Sequence, residues 1–280
     1  MREVKPGHPA RQFLVTVGII YSVWLVGLWA LQARIIYPGW LRLPEPQPEL
    51  HISSLEPWWL DTEDGPIEAW WIPGAGVSED RPGPVMMAWH GNAAFIDDAV
   101  LKLSAYRDLG LSILLVEYRG YGRSAGVPSE ESILADANAW RVKLLKRKDV
   151  NRHKFVFYGR SLGSGPAVHM AAEHGAAALV LEAPITSLKP FVSAYLAPAF
   201  LLQDTWDNLA AAPKIKAPAI VFHGAKDGVV PIETGAELAK ALNAKFVTDN
   251  KAGHNDLPSN PEAHFERVAA FLQGAGVMSR

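Results

Sequence analysis

Residues 159–163 read Gly-Arg-Ser-Leu-Gly, and the segments on either side of them decide the fold. The preceding run, residues 154–158, is apolar and rich in β-forming residues, so it predicts a buried strand. The following run, residues 164–174, is rich in alanine and favours a helix. A strand, a tight turn and a helix in this order lift the hydroxyl of Ser161 above a parallel sheet, at the N-terminus of the helix.

The pentapeptide alone does not establish a function. Gly-x-Ser-x-Gly also occurs in ordinary loops, and a serine in this position is a frequent helix N-cap. A nucleophilic serine needs three further groups: a base, an acid that orients the base, and donors for a developing oxyanion. These groups must come from the rest of the chain.

The composition is that of one globular domain with a sizeable core: 280 residues, of which 49% are apolar and 20% charged. The formal net charge of −2 gives no reason to expect nucleic acid as a partner. The chain has no cysteine, which excludes disulfides, thiolate metal sites and a cysteine nucleophile. The histidines and acidic residues lack metal-ligand spacing, so we expect neither a metal nor a cofactor.

A charge-free run of twenty residues, 13–32, lies near the N-terminus. Twenty residues of helix cross the hydrocarbon core of a bilayer, so the run predicts a transmembrane signal anchor over residues 13–33, after a short flank at residues 1–12. Two alternatives are disfavoured. A cleaved signal peptide would normally have a shorter apolar region and a better cleavage site than Ala30-Leu31-Gln32-Ala33. A buried core helix would not normally be charge-free at the extreme N-terminus.

Charged residues and prolines around this run predict its orientation in the membrane and a linker to the domain. Basic residues flank the run unequally, three before it and two after it: Arg2, Lys5 and Arg11, then Arg34 and Arg42. This bias favours a cytoplasmic N-terminus and places the following domain outside the cytoplasm, which is the periplasm in a bacterium. Residues 34–50 are rich in proline and predict a semi-rigid linker that holds the domain, residues 51–280, away from the bilayer.

Eight apolar runs in the domain predict strands, and most alternate with helical segments. The first two are joined by a hairpin at Asp64-Gly65, whereas the continuous apolar runs further on are typical of strands buried on both faces. Together they predict an α/β fold, a mostly parallel sheet with helices on both faces. The predicted strands are residues 57–61, 67–72, 85–89, 111–116, 154–158, 177–181, 219–222 and 245–248.

In an open α/β sheet the site lies beyond the carboxyl ends of the strands. Ser161, Asp227 and His254 each follow a predicted strand, in an order that suits a nucleophile, an acid and a base. We expect His254 to take the proton of Ser161 and Asp227 to fix the imidazole tautomer. Asp249 and Asp256 remain rival acids, although neither follows the right strand at the right distance.

Two backbone N–H groups are candidates for an oxyanion hole. The N–H of Leu162, the residue after the nucleophile, is one. The second belongs to the loop that begins His90-Gly91-Asn92 after the strand at 85–89, and it is the N–H of Asn92 or that of Ala93.

Three stretches carry a family resemblance: His90-Gly91-Asn92-Ala93, the run 117–124 (Glu-Tyr-Arg-Gly-Tyr-Gly-Arg-Ser) with Pro128-Ser129-Glu130 beyond it, and residues 159–163. Over residues 58–272 the chain resembles the α/β-hydrolase superfamily. It is most similar to the membrane-anchored group with little or no lid, which includes bacterial exported hydrolases and eukaryotic acyl-protein thioesterases (depalmitoylases). One departure from that pattern is Ala94, at a position where members of the group usually carry glycine.

The resemblance implies that the loop at 117–124 shapes the site. Tyr118, Arg119 and Tyr121 thereby become candidates for the site wall, and Arg119 has the alternative role of stapling its own loop. His90 and Arg160, which lie beside the oxyanion loop and the nucleophile, are further wall candidates, with a turn role as the alternative for His90.

The segment between the strands at 177–181 and 219–222 is one or two helices long, too short for a large cap domain. We therefore expect a shallow site that opens to solvent or to the membrane. The segment contains six large apolar residues, which form either an acyl-binding rim facing the bilayer or the packing face of a short helix: Phe191, Tyr195, Leu196, Phe200, Leu201 and Leu202.

These features favour a serine hydrolase that cleaves carboxylic ester or thioester bonds through an acyl-enzyme. The expected partners are a small-molecule or lipid-like acyl substrate and, through residues 13–33, the bilayer. A serine peptidase of the same fold is the alternative within enzymes. A non-catalytic, membrane-tethered binding protein is the alternative of another class.

Overall fold

The computed structural model describes residues 9–44, 52 and 54–278. Its eight-stranded sheet has the order β1-β2-β4-β3-β5-β6-β7-β8. Strand β2 pairs antiparallel with β1 and β4, and the other neighbours are parallel, so the expected mostly parallel sheet is confirmed. The strands are β1 (Glu56–Thr62), β2 (Gly65–Ile72), β3 (Gly83–Trp89), β4 (Ser112–Val116), β5 (Val150–Arg160), β6 (Ala178–Glu182), β7 (Ala219–Gly224) and β8 (Lys245–Asp249).

Helices cover both faces of the sheet. The helices are α1 (Pro9–Ile36), α2 (Ile96–Ser104), α3 (Glu130–Leu145), α4 (Ser164–His174), α5 (Asn208–Ala211), α6 (Ile232–Ala241) and α7 (Pro261–Gly274). Helices α3, α4 and α6 bury their apolar faces in one core, with Trp140 and Val168 among its members. Helices α2 and α7 bury theirs in a second core, with Val100 and Leu272. Successive side chains of a strand lie in the two cores in turn, because they point to opposite faces of a pleated sheet.

Helix α1 extends beyond the predicted span at both ends. It has 28 residues, none of them buried, and it is apolar enough to cross a membrane. At helical rise it is about 42 Å long, against about 30 Å for the hydrocarbon core of a bilayer. Residues 1–8 of the predicted N-terminal flank lie outside the described residues.

The start of the predicted linker packs against the domain instead of spacing it from α1. The Tyr37 side chain is 2% exposed, and its hydroxyl donates to Asp204 Oδ2 at 2.7 Å and accepts from Trp206 Nε1 at 2.9 Å. The prolines predict stiffness, but they do not reveal these tertiary contacts, so the prediction of a spacer is wrong for this part of the chain. Residues 45–50 of the predicted linker lie outside the described residues.

Gly39 continues this packing toward the sheet edge where Ser161 lies. A Cβ on Gly39 would lie 2.4 Å from Cγ of Tyr121, so only glycine lets the backbone pass this ring. The chain then reaches Arg42, which forms a forked ion pair with Asp98 at 2.8 and 3.1 Å. The segment after α1 is thus part of the domain surface beside the oxyanion loop.

The connection from β6 to β7 consists mostly of short turns. It contains 3-10 turns at Lys189–Tyr195 and Ala199–Leu201 and the single helical turn of α5. The first of these turns begins with a proline in its first positions, and the second follows Pro198. Because proline removes a donor and blocks helix continuation, the segment forms short turns rather than a continuous helix.

Candidate active site

Ser161 lies on a strained turn between β5 and α4. Its φ of +52° falls in the left-handed region, which residues with a Cβ rarely adopt. A Cβ on Gly159 would lie 2.3 Å from the carbonyl oxygen of Gly163, and one on Gly163 would lie 2.3 Å from that of Trp89. Both glycines of the pentapeptide are therefore required by close backbone approach, and the turn presents the hydroxyl at the carboxyl end of β5.

Ser161, His254 and Asp227 form one hydrogen-bonded chain. The Oγ of Ser161 lies 3.0 Å from Nε2 of His254, and Nδ1 of His254 lies 2.8 Å from Oδ2 of Asp227. An ionised carboxylate can only accept, so Nδ1 carries the imidazole proton and Nε2 is free to accept from the serine. The sheet thus brings together three residues that are far apart in the sequence, with the geometry of nucleophile, base and orienting acid.

The carboxylate of Asp227 is held on its other side by backbone. Its Oδ1 accepts from the N–H of Val229 at 2.9 Å and from that of Val230 at 2.8 Å. Burial alone would raise the pKa of Asp227, but the hydrogen bond from His254 and the amides of Val230 and Val229 outweigh it, so the pKa lies below its usual value. Asp227 is therefore ionised at neutral pH and fixed in orientation.

The two rival acids shape the loop that carries the histidine. Oδ1 of Asp249 accepts from the N–H groups of Lys251 and Ala252, and Oδ1 of Asp256 accepts from that of Gly253 at 2.7 Å. These are the Asx-type contacts that stabilise tight turns. Asp227, in contrast, contacts the imidazole itself.

Arg160 ties the nucleophile turn to the histidine loop. Its Nη2 donates to the carbonyl oxygen of His254 at 2.6 Å, and its Nη1 donates to that of Leu257 at 2.8 Å. Nη1 also lies 3.3 Å from Oε2 of Glu182. The residue immediately before the nucleophile therefore holds the backbone of the base.

Glu182, at the carboxyl end of β6, pairs with Arg160 and with two further basic side chains. Its buried carboxylate also meets Lys102 Nζ at 2.5 Å and His264 Nε2 at 2.9 Å. Burial alone would raise the pKa of Glu182, but the charges of Lys102, His264 and Arg160 lower it well below its usual range. An ionised Glu182 thus orients Arg160.

The oxyanion loop presents free N–H groups to the site. Among the residues that the structure describes, the amides of Asn92 and Ala93 have no protein acceptor, and both residues line the cavity beside Ser161. Two carbonyl oxygens of this loop, those of His90 and Asn92, are already occupied by tyrosine hydroxyls. Tyr118 Oη donates to the carbonyl of His90, and Tyr121 Oη donates to that of Asn92, each at 2.7 Å. The loop therefore offers donors, not acceptors, to a group bound at Ser161.

His90 is locked below this loop. Its Nε2 lies 2.6 Å from Oε1 of Glu117, and its Nδ1 lies 2.8 Å from the carbonyl of Gly91. Burial lowers the pKa of His90, but the charge and hydrogen bond of Glu117 and the carbonyl of Gly91 outweigh it, so the pKa lies above its usual value. Both ring nitrogens then donate, and the imidazolium fixes the start of the loop.

The predicted site wall needs correction for three residues. Tyr118 and Tyr121 are buried behind the oxyanion loop, where their hydroxyls satisfy its carbonyls. Arg119 staples its own loop, with Nε and Nη2 on Asp136 at 2.7 and 2.8 Å and Nη1 on Asp64 at 2.6 Å. The structure thus brings the glycine-rich loop close to the site as a support rather than as a wall.

A cavity of about 440 Å³ surrounds the hydroxyl of Ser161. It includes residues that the sequence predicted for the site: His90, Asn92, Arg160, Ser161 and His254. It also includes residues that sequence reasoning missed: Arg42, Lys102, Tyr158 and Asn255. Arg42 comes from the predicted linker, so only tertiary packing places it here. Asn255, next to the base, is the one of these that adjacency to a predicted site residue would have suggested.

Comparison with known proteins agrees with this fold. A family model described as TAP-like protein matches residues 189–278. An uncharacterized protein of Mycobacterium tuberculosis is 32% identical over 250 residues, 86% of this chain and 86% of that protein. The human α/β hydrolase domain-containing protein 17B is 30% identical over 189 residues, 65% of this chain and 64% of that protein.

Solved structures show the same fold at low identity. The thermophilic esterase Est2 of Thermogutta terrifontis, with butyrate bound, has a TM-score of 0.67 and 16% identity, covering 81% of this chain and 96% of that one. The esterase PF2001 of Pyrococcus furiosus has a TM-score of 0.64 and 18% identity, covering 82% and 93%. The chain belongs to the α/β-hydrolase superfamily, and this membership supports hydrolase activity.

Proposed function

We propose that the protein is a serine hydrolase that cleaves carboxylic ester or thioester bonds through an acyl-enzyme. The observation that carries the proposal is the chain of hydrogen bonds from Ser161 through His254 to Asp227, on a strained turn that follows the carboxyl end of β5. Superfamily membership and the presence of esterases among the similarly folded proteins support an ester substrate.

The geometry supplies each part of an acyl transfer. His254 Nε2 takes the proton of Ser161 as Oγ attacks the acyl carbon, and Asp227 stabilises the imidazolium that forms. The N–H of Leu162 and that of Asn92 or Ala93 stabilise the oxyanion, each donor contributing on the order of 3 kcal/mol. The imidazolium then protonates the departing alcohol or thiol. A water molecule, activated by the same imidazole, cleaves the acyl-enzyme and restores the serine.

The substrate class is tested with a panel of acyl donors and the full-length protein in detergent. p-Nitrophenyl esters of graded chain length report ester cleavage, acyl thioesters with a thiol reagent report thioester cleavage, and a peptide library reports amide cleavage. We expect turnover of the esters or thioesters, its loss in Ser161→Ala, and its retention in Ser78→Ala, a control at an exposed turn. Cleavage confined to peptides would replace the proposal with a serine peptidase.

We further propose that residues 13–33 anchor the protein in a membrane, with residues 1–12 in the cytoplasm, residues 34–50 joining anchor and domain, and the catalytic domain, residues 51–280, outside the cytoplasm. The proposal is supported by the length and apolar composition of α1 and by the excess of basic residues before it. Protease added to bacterial cells with a permeabilised outer membrane and an intact inner membrane should digest the domain. Protection of the domain until the cells are lysed would reverse the orientation.

A further inference from the structure

The connection from β6 to β7 contains a charge-free segment, residues 190–203, that the catalytic residues do not use. Two of its large apolar side chains protrude from the surface: Leu196 is 76% exposed and Phe200 is 83% exposed. An exposed apolar side chain is common by itself, whereas a charge-free run that contains two of them is typical of a surface that meets another apolar phase.

The segment lies against α1, well inside the apolar part of that helix. The hydroxyl of Tyr21 donates to the carbonyl of Leu196 at 2.8 Å, and the indole N–H of Trp24 donates to that of Tyr195 at 2.9 Å. A tyrosine and a tryptophan near the middle of an apolar helix are therefore explained by the carbonyls they meet, not by an interface belt, which forms near helix ends.

Gln32 makes a third attachment nearer the C-terminus of α1. Its side-chain Nε2 donates to the carbonyl of Leu201 at 3.2 Å, and its Oε1 accepts from the N–H of Gln203 at 2.8 Å. A side-chain amide that pairs with both a carbonyl and an N–H of one segment satisfies two backbone groups at once. From Tyr21 to Gln32 the attachment follows about 16 Å of the helix axis.

The length of this contact indicates how deep the segment would lie in a bilayer. The hydrocarbon core of a bilayer is about 30 Å thick, so 16 Å along the domain-proximal end of α1 corresponds to roughly one leaflet. Irregular backbone is tolerated at that depth only where its polar groups are satisfied within the protein. Carbonyls of Tyr195, Leu196 and Leu201 meet this condition through the polar side chains of α1.

We infer that residues 190–202 form a membrane-inserted loop, in which Leu196 and Phe200 contact lipid acyl chains beside α1. The inference rests on the proposed membrane anchor and is independent of the chemistry proposed for Ser161. Between the loop and α1 lies a cleft whose lining is almost entirely apolar, including Leu28, Phe191 and Leu202, which suits the same hydrocarbon surroundings. The loop holds one face of the catalytic domain against the bilayer.

The test measures the depth of single labelled positions in phosphatidylcholine vesicles that contain the full chain. Because the chain has no cysteine, each introduced cysteine is unique and can carry a nitrobenzoxadiazole fluorophore. Leu196→Cys and Phe200→Cys report on the loop. Val17→Cys, at an exposed position of α1, reports on the anchor, and Val142→Cys, at an exposed position of α3, is the aqueous control. Circular dichroism checks that each labelled variant is folded.

Replacing part of the lipid with brominated phosphatidylcholine quenches fluorophores that lie among acyl chains. We expect the labels at Leu196 and Phe200 to be quenched as strongly as the label at Val17, and the label at Val142 to be unaffected. If Val17 is quenched while both loop labels behave like Val142, the loop lies in water and the inference is overturned, but the anchor stands. If Val17 is not quenched, the anchor fails and the inference fails with it.

Discussion

Replacing Arg160 with methionine tests whether this side chain positions the catalytic base. Methionine keeps an unbranched apolar stem but removes the two hydrogen bonds from the guanidinium to the carbonyls of His254 and Leu257, at 2.6 and 2.8 Å. It also removes one of the cations that surround Glu182, which keeps Lys102 as a partner. The loop that carries the imidazole is then no longer tied to the turn that carries Ser161.

The contacts set the size of the expected effect. A hydrogen bond from a charged donor contributes about 1.5–3 kcal/mol, and water replaces part of it because the Arg160 side chain is 22% exposed. We therefore expect the free energy of unfolding to fall by about 1–3 kcal/mol. A displacement of the base by about 1 Å lowers the rate of the chemical step by up to about 100-fold, so we expect kcat to fall by about 10- to 100-fold.

The assay compares kcat and KM for a short-chain p-nitrophenyl ester, together with the unfolding midpoint in urea. Arg147→Met is the matched control, because Arg147 makes two contacts of similar length with Asp149, at 2.8 and 2.6 Å, and lies away from the cavity. The control should lose stability with kcat unchanged, and Arg160→Lys should restore part of the lost kcat. If Arg160→Met and Arg147→Met lower stability equally and neither changes kcat, Arg160 has no positioning role.

Three further predictions concern the turn, the oxyanion loop and the acid. Gly163→Ala should abolish activity or folding, because its Cβ meets backbone at 2.3 Å, whereas Gly274→Ala, with open space around its Cβ, should be neutral in the same ester assay and thermal melt. Because the pKa of His90 is raised, its charge makes its full contribution to the free energy of unfolding below about pH 6.5. That contribution is lost as the pH rises through the pKa of His90 in the folded state. The stability lost in His90→Gln, measured by urea unfolding, should therefore shrink from about pH 6 to about pH 9. Asp227→Asn should lower kcat by about 10⁴-fold and leave KM nearly unchanged; a loss below tenfold would assign the acid to another residue.

Much of the fold was predictable because its signals are local. All eight strands appear in the sequence as apolar runs bounded by glycine, proline or polar residues, and helix α4 begins and ends where its alanine-rich run does. The 3-10 turns of the connection from β6 to β7 were not predicted. Prolines 190 and 198 forbid a continuous helix, but the contacts that fix the turns come from α1, which is more than 150 residues away in the sequence.

The site residues also divide into those with a local sequence signal and those placed only by tertiary contacts. Ser161, Asp227 and His254 could be proposed because each follows a strand, and parallel strands end at one edge of the sheet. Arg42 gives no local signal, because its place in the cavity depends on how the segment after α1 docks. The prediction of Tyr121 as a site-wall residue is wrong because the sequence shows only an aromatic residue in a loop near the site. It does not show that the hydroxyl of this tyrosine donates to the carbonyl of Asn92.

The most direct test of the proposed chemistry is covalent labelling of the full-length protein with a fluorophosphonate, followed by peptide mass spectrometry. Activation of Ser161 by His254, at 3.0 Å, predicts a single adduct on the peptide that contains residues 159–163. The adduct should be absent from Ser161→Ala and strongly reduced in His254→Ala. A folded protein that takes up no label, or that is labelled on another serine while Ser161 remains unmodified, would contradict the assignment of Ser161 as the nucleophile.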